Sequence, residues 1–307
     1  MSTSDTTQTE AAFDHDVVVV GGGPAGCSAG LFTARNGLET VIFDRGRSSI
    51  QRCAYLENYL GFPAGIDIET LYGLMHDHVE TAGCEIVPDL VESLERADGE
   101  GFVVGLQEGE PVTARRVIAA TRYDGEYMRG LDDEEAMFET HEHDGEEHEH
   151  FDKGYAESDG TTPVDDLFIA SPYGDTGYQA SMAAGHGARV GITVVEDVRR
   201  TQGYPEPMAN HYDWMRREAE LDGEWSERSR WREYFDDQLP DNHDLEEARL
   251  EAMREREIDR RFATYLSDNE IERRIERGHK RLLEHVDDDL ILEAAREIEA
   301  TGKTGGE

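Results

Sequence analysis

Four consecutive valines, Val17 to Val20, run directly into a turn that carries Gly21, Gly23 and Gly26, and this order restricts the chain more than any other stretch. A run so apolar and so short is a strand buried on both faces, as in a parallel sheet. Gly21 permits a tight turn, Gly23 lets the backbone approach a phosphate with no Cβ in the way, and Gly26 lets the following helix pack against the strand. Pro24 suits a first helical turn, where its missing N–H costs nothing. The helix is expected from Ala25 to about Asn36, with Gly37 as its stop. A second strand, Glu39 to Phe43, ends on Asp44. An acid about 20 residues past such glycines is placed to accept hydrogen bonds from the ribose hydroxyls of an adenine dinucleotide.

The 307 residues hold one large domain or two modest ones, and 37% hydrophobic content suffices for a core. Sixty-nine acids against 30 bases give a net charge of -39, spread along the whole chain. Exposed charges hardly feel one another at molar salt, where the screening length is about 3 Å, so the acidity reads as a salt-adapted, halophilic surface. No basic stripe exists to neutralise phosphates, which argues against nucleic acid as a partner. Met1 to Phe13 has no basic region leading into an apolar core, and no segment approaches a membrane span, so the expectation is a soluble cytoplasmic protein. The three cysteines, Cys27, Cys53 and Cys84, are widely spaced and include no Cys-x-x-Cys. Cys27 reads as a helix packing residue, whereas Cys53, in the loop after the second strand, is harder to dismiss.

Beyond a polar tail (1–13), Ile68 to Ala82 has helical spacing and Gly83 closes it. Strand-like pieces at Glu85–Val87, Gly101–Leu106 and Val112–Ala119 are read as a small antiparallel sheet inserted in the nucleotide fold. From Asp132 to Thr162 the composition turns to Glu, Asp, His and Gly without periodicity, and this stretch is expected to be a mobile loop. Leu167–Ala170 is a short buried strand, followed by a small-residue helix from about Tyr178 to Ala188. Past Arg199 come charged helices: Ile258, Phe262, Tyr265 and Leu266 share one face, as do Ile271, Ile275 and Leu282, then Leu290, Ala294 and Ile298. Ser267 to Glu270 is a capping box. Trp214, Trp225 and Trp231 are read as residues docking these helices onto the nucleotide fold.

Four stretches carry a family resemblance: Val18 to Ala29 together with Val41 to Gly46; Glu57-Asn-Tyr-Leu-Gly-Phe-Pro-Ala-Gly65; Arg116-Val-Ile-Ala-Ala-Thr121; and Asp166 to Pro172 running into Gln179 to Gly187. The chain resembles the FAD domain of the thioredoxin reductase-like flavoproteins, a branch of the pyridine nucleotide-disulfide oxidoreductases. The likeness spans about 14 to 195. It implies an α/β, Rossmann-like (GR2-type) FAD/NAD(P)-binding domain over 14–199 with a small inserted antiparallel sheet, and 205–307 is expected to be an α-helical C-terminal region. The implied FAD contacts are Gly21, Gly23, Pro24, Ala25 and Gly26 for the pyrophosphate; Asp44 and Arg45 at the end of the second strand; Val91 at the adenine; and Asn58, Thr121, Gln179 and Ala180 toward the flavin. Gln179 and Ala180 match a helix start whose positive end stabilises negative charge on the reduced ring.

The departures are as informative. The family inserts a nicotinamide-binding domain bearing its redox Cys-x-x-Cys between the Ala-Thr strand and the last FAD strand, but here the interval, Arg122 to Thr162, is too short for a βαβαβ fold. The family's Ala-Thr-Gly becomes Ala120-Thr121-Arg122, and its Ala-Gly-Asp becomes Ala170-Ser171-Pro172; Asp175 is the nearest acid that could replace the lost one. The expectation is therefore an FAD-binding oxidoreductase without a docked NADPH, supplied by a protein redox partner or a diffusing reductant, with Cys53 as the only thiol considered near the flavin. Two alternatives stay open: an inactive flavin-fold relic that scaffolds a partner, and an NAD(H)-dependent oxidoreductase. The C-terminal helices could serve as lid, homodimer interface or partner dock. His141, His143, His148 and His150 have donor types suited to zinc, nickel or copper, but an incidental, solvated loop is the favoured reading, and His76 and His78 do not share a helix face.

Overall fold

The computed structural model describes residues 13–122, 125–143, 146–171, 174, 179–206, 208–240 and 245–302; the polar tail expected over 1–13 lies almost wholly outside them. Two compact units divide the chain, Met1–Val194 and Val195–Glu307. The first is built on β1 (His15–Val20), α1 (Pro24–Arg35), β2 (Thr40–Phe43), α2 (Ile68–Thr81), β3 (Glu85–Val87), β4 (Val91–Arg96), β5 (Phe102–Leu106), β6 (Val112–Ala120), α3 (Glu134–Met137), β7 (Phe138–His143), β8 (Glu146–Phe151), β9 (Leu167–Ser171) and the start of α4 (Ala180–Thr201).

Strands β3, β2, β1, β6 and β9 lie side by side and parallel. The valines of β1 divide between the faces of this sheet. Val18 and Val20 join a core with Phe43, Val117 and Ile169, while Val17 and Val19 join another with Ile42, Ile118 and Phe168. Burying each stabilises the fold by roughly 1.5–3 kcal/mol, which explains why this strand reads so clearly from sequence. β6 is the branch point of a single seven-stranded sheet. One edge pairs with β1, and the other pairs antiparallel with β5 at Val112–Ala114 and then parallel with β9 from Val117 onward.

The inserted antiparallel sheet differs in membership from the expectation. Glu85–Val87 is instead the edge strand of the parallel sheet, in register with Val41–Phe43. The third antiparallel strand is β4, Val91–Arg96, which pairs with β5 through a register irregularity between Val91 and Ser93. That irregularity puts buried Val91 and Leu94 three apart, so the period-two signature of a strand is absent from the sequence.

The stretch 132–162 is also not a featureless loop. β7 and β8 form an antiparallel hairpin in which Glu139 pairs with His150, His141 with His148 and His143 with Glu146. Its base is fixed by the buried Phe138 and Phe151, whose rings meet edge-on at 5.9 Å, and by Arg129, whose guanidinium lies 4.1 Å from the Phe138 ring and bonds Glu149. Two anchoring aromatics at the ends of a polar segment give no periodicity, yet they hold both strands.

Helix α4 runs well past the expected end at Ala188, to Thr201. Val190 and Val194 continue it as fully buried core residues, and burial overrides the weak helix propensity of β-branched side chains. Its glycines serve contact with α1. A Cβ on Gly187 would lie 2.0 Å from the Ala25 carbonyl oxygen, and one on Gly191 would lie 2.7 Å from that of Ala29. Since backbone cannot yield as a side-chain tip can, Gly187→Ala is expected to destabilise the unit by about 1–3 kcal/mol or more. Denaturant unfolding followed by circular dichroism checks this, and an unchanged midpoint would refute the close approach.

The second unit contains β10 (Arg216–Arg217), α5 (Arg228–Asp237), α6 (Glu247–Ala263), β11 (Tyr265–Leu266), α7 (Asp268–Leu283) and α8 (Asp288–Thr301). Tyr265 and Leu266 do not continue the helical face of Ile258 and Phe262. They pair in parallel with Arg216 and Arg217, because Ser267 already caps α7, its hydroxyl accepting from the Glu270 N–H at 3.4 Å. Trp231 and Phe235 are buried with Tyr204, Met208, Met253 and Ile258, and Trp225 packs against this cluster. The aromatics thus supply this unit's own core, except Trp214, which is exposed. No described helix is long and apolar enough to cross a membrane.

Candidate cofactor site

A cavity of about 370 Å³ opens beyond the carboxyl ends of β1, β2 and β6, where β1 has β2 on one side and β6 on the other. Such a divergence in an open α/β sheet is where ligands bind. Gly21 to Ala25 form its floor. Gly21 has φ +111°, and a Cβ there would lie 2.7 Å from the Ala120 carbonyl oxygen; on Gly26 it would lie 1.8 Å from that of Gly21. Both positions therefore require glycine for the fold. Gly23 differs: it is the N-cap of α1 in an ordinary extended conformation (φ -80°), and a Cβ would come within 3 Å of one side-chain atom, the Ser48 hydroxyl at 2.7 Å, with the Ser48 Cβ at 3.5 Å and the Tyr72 hydroxyl at 4.0 Å.

No side chain caps the first turn of α1 and no acid stands in it, while Pro24 occupies its start. The helix thus presents uncapped N–H groups and the positive end of its dipole to the cavity, the arrangement that binds a phosphate. Arg45, Arg47 and Arg122 line the same space and bring positive charge to it in a strongly acidic chain.

Asp44 is buried at the end of β2; its carboxylate accepts from the Gly46 N–H at 2.9 Å. His76 of α2 has a role here that the sequence does not announce. Its Nε2 lies 3.5 Å from Asp44 Oδ2 and 3.3 Å from the Gly22 carbonyl oxygen. Both neighbours are acceptors, so Nε2 carries a proton, and the ring ties the glycine turn to the acid of β2. Helical spacing places His76 on α2 but says nothing of a glycine turn 54 residues away.

Asn58 and Gln179, which are 121 positions apart, meet directly: the Asn58 amide donates to Gln179 Oε1 at 3.0 Å. They border the cavity with Ala180 at the start of α4, Val91 from β4 and Thr121 after β6. Sequence reasoning misses Tyr127, buried beside Thr121 with the two hydroxyls 3.4 Å apart, and Asp89, also at the cavity. Burial raises the Asp89 carboxyl, but the N–H groups of Gly109, Leu90 and Glu108 outweigh burial and hold it below its ordinary value.

Arg122 stands where the resembled family has glycine, and it adopts φ +67°, the left-handed conformation that glycine enters freely. A non-glycine residue there costs of order 1 kcal/mol. Its N–H donates to the Ser171 carbonyl oxygen at 3.2 Å, which fastens β6 to β9. Pro172 and Asp175 lie outside the described residues.

All three cysteines are free thiols, and only Cys53 is exposed; it lines the cavity. Cys27 is buried with its thiol against the Gly22 carbonyl oxygen at 3.2 Å, and burial, aided by Asp44 and Cys84, pushes its pKa up to about 12. It is therefore a packing residue. Among the described residues, no group of three or more His, Cys, Asp or Glu could hold a metal ion. Of the four hairpin histidines, His150 is exposed, while the side chains of His141, His143 and His148 lie outside the described residues.

Residues 15–153 match the family described as pyridine nucleotide-disulphide oxidoreductase. Thioredoxin reductase of Streptomyces coelicolor is 31% identical over 126 residues, 40% of this chain and 38% of that protein. Thioredoxin reductase of Streptomyces clavuligerus is 32% identical over 110 residues, 35% of this chain and 34% of its own length. The chain thus spans less than two-fifths of the length of these relatives. Among solved structures, a thioredoxin reductase from Gloeobacter violaceus aligns with 66% of this chain and 98% of its own, with a TM-score of 0.47 and 18% identity.

Proposed function

We propose, from the match of residues 15–153 to the pyridine nucleotide-disulphide oxidoreductase family, that the cavity holds FAD and that the protein is a flavin-dependent oxidoreductase. The observation that carries this reading is the convergence on one cavity of an uncapped helix N-terminus, the Asp44 carboxylate and the Asn58–Gln179 pair. The first-turn N–H groups of α1, with Arg45, would hold the pyrophosphate, Asp44 the ribose, and Val91 the adenine. Asn58, Thr121, Gln179 and Ala180 would border the flavin, and the α4 N-terminus would favour negative charge there. The bound flavin would supply the electron-carrying chemistry.

The donor in this proposal is not NADPH docked on a second nucleotide domain. In support, the β7–β8 hairpin occupies the interval between β6 and β9 where the resemblance would place that domain. Electrons would come from a protein partner or a diffusing reductant, with Cys53 the thiol closest to the reaction. Incubation with FAD in molar KCl is expected to give a stoichiometric yellow complex that dithionite bleaches and NADPH does not. A protein that takes up no FAD, or that binds NADH in its place, would overturn the proposal.

A further inference from the structure

The second unit contains a cavity of about 290 Å³ lined by Arg216 and Arg261, by Trp225, Trp231, Tyr234 and Tyr265, and by one acid, Glu220. Its construction follows from the local fold. Pairing of β10 with β11 sets Arg216 opposite Tyr265 and fixes it by an N–H bond to the Thr264 carbonyl oxygen at 2.8 Å. Helix α5 contributes Trp231, whose indole N–H donates to the Trp225 carbonyl oxygen at 2.8 Å, and the two indoles pack with centroids 4.8 Å apart. Helix α6 delivers Arg261 from its last turn, 5.6 Å from the Trp231 ring.

The arginines of this cavity are treated differently from their neighbours. Arg199 is buried and fully engaged, bonding Glu257 at 2.9 Å and the carbonyl oxygens of Ala209 and Met208. Arg228 and Arg232 share Glu255, and Arg254 pairs with Asp236. The Nε of Arg261 is buried without a hydrogen-bond partner, as is that of Arg254; Arg254 still has Asp236, whereas among the described residues no carboxylate pairs with Arg261 or Arg216. Glu220 stands on the cavity wall but bonds neither. Acids outnumber bases 69 to 30 in this chain, yet among the described residues neither cavity arginine is paired with one. Arg261 is half-buried and Arg216 exposed, and partial burial of a guanidinium with no anion beside it carries a desolvation cost; burial together with Arg260 lowers the Arg261 pKa from its ordinary value.

We propose that this cavity is a binding site for a planar organic anion, an aromatic carboxylate, with Arg261 and Arg216 holding the carboxylate and the Trp225, Trp231, Tyr234 and Tyr265 rings flanking the aromatic body. A guanidinium fork matches a carboxylate in two parallel bonds. Four aromatic walls favour a flat, apolar ligand over a compact inorganic anion. The volume suits a molecule of one or two rings. The site is made entirely from residues 216–265 and is independent of the FAD reading.

Calorimetric titration of the full-length protein in molar KCl with benzoate, 2-naphthoate and inorganic phosphate tests this. The expected result is one carboxylate per chain, 2-naphthoate tighter than benzoate and both tighter than phosphate, with quenching of tryptophan fluorescence. Arg261→Met is expected to weaken naphthoate binding at least tenfold in a protein that remains folded by far-ultraviolet circular dichroism. Arg216→Met, at a more exposed position, provides the same affinity test if the first variant does not fold. Absence of heat with either carboxylate, phosphate binding tighter than both, or undiminished affinity in the folded variants would overturn the proposal.

Discussion

Gly23→Leu is expected to weaken the proposed FAD uptake by on the order of 100-fold or more in a protein that remains folded. The substitution separates binding from folding because Gly23 has ordinary backbone angles and its hypothetical Cβ comes within 3 Å of one side-chain atom, the movable Ser48 hydroxyl. A leucine side chain there fills the space over the first turn of α1, where the pyrophosphate would accept from uncapped N–H groups. Hydrogen bonds to a charged group contribute about 1.5–3 kcal/mol each, so losing two of them weakens affinity on the order of 100-fold or more. Fluorescence titration with FAD measures the loss, and far-ultraviolet circular dichroism confirms retention of the fold. Gly26→Ala makes a contrasting control, since its Cβ would lie 1.8 Å from the Gly21 carbonyl oxygen and the fold itself must shift. Undiminished FAD binding by the leucine variant would remove the glycine turn from the site.

Glu257→Gln destabilises the second unit by about 3–5 kcal/mol, the usual consequence of leaving a buried charge uncompensated. Glu257 is buried and receives Arg199 at 2.9 Å and Arg260 at 2.8 Å. Burial raises its carboxyl, but the two arginines outweigh burial and keep it below the ordinary value. His211 borders the same cluster, with Arg260 3.3 Å from its Nδ1. Burial, reinforced by Arg260 and Arg199, pushes its pKa down to about 4 from an ordinary 6.5. Between those values the unfolded chain binds a proton that the folded one refuses, so stability falls as pH drops from 6.5 to 4, by at most roughly 1.4 kcal/mol per pH unit. The Glu257 contribution is lost as pH falls below the ordinary 4.5 and through its lowered folded value. Urea unfolding followed by tryptophan fluorescence at several pH values reads both effects, and His211→Gln should flatten the upper part of the profile. A midpoint unmoved by Glu257→Gln would refute the assignment.

What the sequence conveys is governed by the range of the interactions involved. β1, the glycine turn, α1 and β2 are contiguous, and each residue there is chosen by a local need, so they can be read directly. The two-face burial of Val17 to Val20 needs no knowledge of the partners. β4 cannot be read, because a register irregularity erases its alternation, nor can the β7–β8 hairpin, where among the described side chains Phe138 and Phe151 alone reach the core. At the site, the glycines and Asp44 follow from spacing, whereas Asn58, Val91, Gln179 and Ala180 come only from resemblance. His76 and Tyr127 act across distances that no periodicity encodes. Arg122 is intermediate: an arginine standing for a glycine is visible in the sequence, but that the backbone keeps a left-handed turn at this point is not.

One consequence of the branch point at β6 concerns how this protein can change length over evolution. Along one side β6 is held by β1, and along the other by β5 and then β9, so adding or deleting a single residue within Val112–Ala120 would exchange the environments of Val117 and Ile118, which belong to different cores. Indels are thereby excluded from the strand itself and better accommodated at turns such as Ala97–Gly101, where length can drift without shifting the register of β6.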